Sequence, residues 1–118
     1  MDERVALLLR FDRYAPLLTD GQREFLHLHY EEDWSLGEIA TIFGLSRQAV
    51  NDRLRRAEAL LQQYEERLHL CEEDALRRYC GEQLRDWAAA QPLSDSGRAV
   101  IECALQALGV ERETEDGL

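Results

Sequence analysis

Lysine is absent from this chain: all fourteen basic residues are arginine, set against twenty-four Asp and Glu, for a formal net charge of −10. That balance excludes a broadly basic surface of the kind that coats nucleic acid without discrimination, because such binding rests on neutralising phosphates. The arginine-only usage itself reads as genomic base composition. Proline occurs only twice, and no segment alternates apolar with polar residues, so there is neither a proline-rich linker nor a strand pattern. The longest apolar stretch near the start, Val5 to Leu9, is cut by Arg10 and is too short for a signal peptide or a membrane span. A cytoplasmic protein without membrane insertion is expected. Cysteine is scarce as well: Cys71, Cys80 and Cys103 make an odd number with no C-x-x-C spacing, which excludes a disulfide framework and predicts reduced thiols in the core. His27 and His29 point to different helix faces, and His69 with Cys71 and Cys80 lacks a fourth ligand at zinc-like spacing, so no metal or cofactor is expected. No nucleophile elbow or phosphate loop frames a Ser, His or Asp, so the expectation is not an enzyme.

What the chain does have is helical periodicity. With 118 residues and 45% hydrophobic content it is one domain, or a small domain with an extension. Residues 3–15 carry Val5, Leu8, Leu9 and Phe11 in a short amphipathic pattern that ends near Pro16. Thr19 and Gln22 form a capping box for a helix to about Tyr30, presenting Phe25, Leu26 and Leu28, and Trp34 sits in the following connector.

Residues 35–58, SLGEIATIFGLSRQAVNDRLRRAE, predict a helix-turn-helix. Ser35 and Glu38 form a second capping box, opening a helix that buries Leu36, Ile39, Ala40 and Phe43. Gly44 supplies the left-handed residue that ends it, Leu45 plugs the corner, and Ser46 caps a second helix burying Val50, Leu54 and Ala57. Val50, Leu54, Ala57, Leu61, Tyr64, Leu68, Cys71 and Ala75 then recur at spacings of four and three, predicting one long helix with a heptad seam. Beyond Ala57 the seam needs a cover, for which Leu61, Tyr64 and Leu68 are the candidate residues. Either the C-terminal helices fold back over it or a second copy packs there as a homodimer. Gly81 marks a break in 71–90, Pro92 and Ser94 open a last helix of about 95–108 that Gly109 ends, and 111–118 reads as an acidic disordered tail.

The run from Leu18 to Leu70, with LLTDGQREFLHLHYEEDWSLGEIA, LSRQAVNDRLRRAEALL and YEERLHL, resembles the bacterial YlxM family, whose helix-turn-helix looks like region 4 of sigma factors. The match covers about half of the chain and carries no functional residue into 71–118. The resemblance implies an accessory protein of the signal recognition particle pathway, with that particle's GTPase or RNA as partner.

Charge locates the candidate site. Between Ser46 and Ala57 lie Arg47, Arg53, Arg55 and Arg56 against one acid, Asp52. The exposed face opposite Val50 and Leu54 carries Arg47, Gln48, Asn51, Asp52 and Arg55, residue types that read base edges or phosphates from a helix, and the candidate binding residues are Arg47, Gln48, Asn51, Arg55 and Arg56. The bland alternative is pairing of these arginines with Asp52 and Glu58 along the helix surface. An exposed Trp34 would be a contact anchor. The expectation is an all-α fold: a sigma region 4-like helix-turn-helix bundle over 1–70 and a helical extension over 71–110. Its function is that of a non-enzymatic adaptor, and the alternative is a DNA-binding transcriptional regulator using the same helix. The four-residue spacing of Val50 and Leu54, where the usual motif has three, rotates the exposed face away from the regulator pattern.

Overall fold

The computed structural model describes residues 2–110, which form six α-helices and no strand. They are α1 (Glu3–Tyr14), α2 (Asp20–Leu26), α3 (Leu36–Phe43), α4 (Arg47–Leu68), α5 (Leu70–Ala89) and α6 (Asp95–Ala107). None is long and apolar enough to cross a membrane. Residues 111–118, read above as an acidic tail, lie outside the described residues.

Contacts divide the chain into two compact units, Met1–Cys71 and Glu72–Leu118. In the first, α1, α2 and α3 all pack on α4. Its core is Leu7, Phe11, Tyr14, Leu18, Phe25, Leu26, Ile39, Ala40, Val50, Leu54, Ala57 and Leu61. Both capping boxes form as the spacing predicts: Thr19 Oγ1 accepts from the Gln22 amide and Ser35 Oγ from the Glu38 amide, and each partner side chain returns to the cap residue's N–H. Gly44 is left-handed, with φ +67°, and Ser46 caps α4 through the Ala49 amide. The two helices of the predicted motif are therefore α3 and α4.

Several expectations are corrected. On α1 the buried face is Leu7, Phe11 and Tyr14, while Val5 and Leu9 are exposed, so the true stripe is rotated from the one read off Val5, Leu8 and Leu9. Regular α-helix in α2 stops at Leu26, and His27–Glu31 form one wide π-type turn. The long helix does not run on to Ala75. His69 adopts a left-handed conformation, φ 55°, that ends α4, and α5 starts at Leu70. Of the seam residues, Leu61 is fully buried beneath α1, and Tyr64 is half-buried with its ring 5.8 Å from that of Tyr14. Leu68, 46% exposed, and Ala75 still face solvent. A cover for the seam thus comes from the N-terminal helix, an option the heptad pattern alone does not suggest.

The second unit holds the greater part of α5 together with α6, which Ser94 caps through the Gly97 amide. Gly81 breaks nothing; it is buried within a continuous α5, where a Cβ would run into Val110. It is there for close approach, the other common reason for glycine in a helix. Cys80 and Cys103 are exposed free thiols rather than core residues.

Candidate functional site

At roughly 100° per residue, the buried stripe Val50, Leu54, Ala57 and Leu61 leaves three strips of α4 outside the core. Gln48 and Asp52 form the crest, Arg47, Asn51 and Arg55 run in one row along one side of it, and Arg53 and Arg56 lie on the α2 side. Of the five residues singled out from the sequence, Arg56 therefore stands apart from the other four. Each flank is built by a different neighbouring element.

On the α3 flank, Arg47 lines an open groove with Trp34, Ser35, Gly37, Glu38, Thr41, Ile42 and Leu45. Its guanidinium lies against Gly37: a Cβ there would stand 2.9 Å from one terminal nitrogen. Absence of a side chain at Gly37 is what seats Arg47. Trp34 is half-buried and packed against the core, not a free anchor. Its position is fixed by the turn before it, where Asp33 has φ 58°, the Trp34 N–H donates to Leu28 O at 2.9 Å, and the Trp34 carbonyl lies 2.8 Å from His29 Nδ1. Ile42, 65% exposed, is the large apolar side chain on the same rim.

Arg55 borders a second concavity with Arg4, Tyr30 and Glu58. Tyr30 Oη donates to Glu58 Oε2 at 2.8 Å, Arg4 Nη2 donates to Tyr30 O at 2.7 Å, and the Arg4 guanidinium lies 5.6 Å from the ring centroid. Burial, then the Glu58 hydrogen bond, push the Tyr30 hydroxyl up to about 12, with Arg4 and Arg55 opposing.

The acids of α4 are engaged by neutral donors. Gln48 donates to Asp52 Oδ1 at 3.1 Å, and Glu58 receives Tyr30. Among the described residues, none of Arg47, Arg53, Arg55 or Arg56 has a carboxylate within ion-pair distance, whereas Arg4, Arg10, Arg23 and Arg77 do. Surface pairing with Asp52 and Glu58, the bland alternative, is not what these arginines do. Arg53 is a site residue that sequence reasoning misses, because the helical pattern places it off the exposed face. Its kinship with Arg56 is visible in their three-residue spacing, but the aromatic partner on α2 is not.

A capped helix, a left-handed glycine corner and a second helix that packs on α1 and α2 define a helix-turn-helix protein. Residues 1–96 match the family model described as "Putative helix-turn-helix protein, YlxM / p13 like", UPF0122, and the chain belongs to that family. A UPF0122 protein of Limosilactobacillus fermentum is 44% identical over 94 residues, covering 80% of this chain and 81% of the relative. One from Halalkalibacterium halodurans is 40% identical over 102 residues, covering 86% and 94% respectively. A third, from Symbiobacterium thermophilum, is 45% identical over 98 residues, covering 83% and 90%.

Proposed function

We propose that this protein is a non-enzymatic, cytoplasmic adaptor of the signal recognition particle pathway, whose helix-turn-helix face binds that particle's GTPase or its RNA. The pathway comes from the YlxM resemblance, and the binding face from one observation: four arginines on one helix without carboxylate partners among the described residues, in a chain of net charge −10. Leaving cations unpaired amid an excess of acids makes the recognition helix the place where an anionic partner gains most. The rest of the surface would repel extended duplex DNA, which is why an adaptor is favoured over a transcriptional regulator using the same helix.

A tagged full-length chain captured from bacterial lysate, with and without ribonuclease, tests the proposal. The expected result is co-purification of the particle's GTPase or RNA, abolished in Arg47→Glu with Arg55→Glu at unchanged helicity. Absence of both components from wild-type captures overturns it, and a specific, salt-steep mobility shift with duplex DNA would favour the regulator.

A further inference from the structure

The α2 flank of the recognition helix has a groove that neither the sequence pattern nor the family description assigns. Thr19, Gly21, Gln22 and Phe25 form one wall, and Arg53 and Arg56 the other. The Arg53 guanidinium lies 5.8 Å from the centroid of the Phe25 ring, which is itself buried and packed 4.9 Å from the Phe43 ring. An aromatic face fixed by the core therefore holds this cation in place. Arg56 follows three residues later on the same side of α4, so two guanidinium groups converge on one opening. The nearby carboxylate, Asp20, is taken by Arg23. Opposite the arginines, nothing lies within 4 Å of where a Gly21 Cβ would stand, which leaves the groove open from solvent.

We infer that this groove seats a phosphodiester group of an RNA backbone, gripped by Arg53 and Arg56. A guanidinium fork matches paired phosphate oxygens in a geometry that a single ammonium cannot. The placement gives the groove its meaning. Arg47 and Arg55 stand on the opposite flank, so cations rim both sides of the crest that carries Gln48 and Asp52. Phosphate contacts on both flanks would fix the register of α4 along an RNA backbone. The inference rests on the RNA arm of the proposed function.

The test is titration of the full chain with a fluorescein-labelled RNA hairpin of arbitrary sequence at several potassium chloride concentrations. Arg53→Gln with Arg56→Gln is expected to weaken binding about tenfold at low salt. It should also flatten the logarithmic salt dependence by roughly 0.7–0.9 for each phosphate that is no longer neutralised. Arg53→Lys with Arg56→Lys, which keeps both charges, should retain most of the slope, separating the effect of charge from that of packing on Phe25. Wild-type affinity and slope in the glutamine pair, alongside weakened binding in Arg47→Gln with Arg55→Gln, would overturn the groove and leave the proposed function standing. A wild-type chain that binds no RNA at low salt sinks the groove and the RNA arm together, while capture of the GTPase would still support the adaptor.

Discussion

Single residues on the recognition helix act through what their neighbours lack, and Gly37 is the clearest case. It sits in the first turn of α3 with no positive φ, so glycine is not needed for the backbone. What it provides is room, because the side-chain end of Arg47 occupies the space where a Cβ would be. Gly37→Ala should therefore leave the fold intact, with stability unchanged or raised by up to about 0.4–1 kcal/mol through the stiffer unfolded chain. The displaced guanidinium should weaken partner capture several-fold all the same. A thermal melt paired with the binding titration checks both halves, and undiminished binding would show that Arg47 is not part of the interface.

At the scale of elements, the junction between α4 and α5 is held by a hydrogen-bond network built on α1. Tyr14 Oη donates to Glu65 Oε1 at 2.6 Å and accepts from the Leu70 N–H at 3.1 Å, and the Cys71 N–H donates to the same Glu65 oxygen at 2.9 Å. This ties up amide groups exposed by the left-handed turn at His69. Tyr14→Phe leaves Leu70 and Glu65 each short of a partner and should cost about 1–3 kcal/mol, read as a lower urea midpoint. Burial, then the Glu65 hydrogen bond, push the Tyr14 hydroxyl up to about 12, as burial and Glu58 do for Tyr30. A raised folded-state value means the unfolded chain loses these protons first, near pH 10. Stability should thus be fully present below pH 10, fall between pH 10 and 12, and fall less in Tyr14→Phe. Flat urea midpoints across that range would contradict the network.

The same junction shows where the sequence stops being informative. Local signals are legible: both capping boxes, Gly44, Ser46 and Ser94 each act within four residues, and short-range chemistry decides them. The rotation of α1 and the end of α4 are not, because both depend on partners distant in the chain. Tyr14 is buried by what it meets at residues 64–71, and His69 breaks a seam whose periodicity runs on unaltered through Cys71 and Ala75. In the site, the arginines are legible as a cluster, but their separation onto two flanks depends on Gly37 and Phe25, which belong to other helices.

At the scale of the whole molecule, an apolar stripe is exposed on α5 rather than along the predicted seam of α4. Leu61 belongs to the core, so Leu61→Glu would unfold the chain rather than report on a dimer. On α5, Leu76, Tyr79 and Trp87 lie on one side at helical spacing and are 62%, 60% and 53% exposed; on α6, Val100 is 68% exposed. Within the second unit, Gly81 and Ala88 are the buried residues among those described, and neither brings appreciable side-chain volume. Two helices with so little buried volume cannot hold a core of their own. We propose a second copy as the cover of this stripe, with Leu76, Tyr79 and Trp87 at the centre of the contact. Two copies related by a two-fold axis would bring their α5 stripes face to face. Light scattering should give twice the 13.7 kDa chain mass. Tyr79→Glu with Trp87→Glu should give that mass once, with the 1–71 unit still folded and its RNA titration unchanged. A wild-type chain that scatters as a monomer at high micromolar concentration would end the dimer and leave this apolar stripe for a different protein.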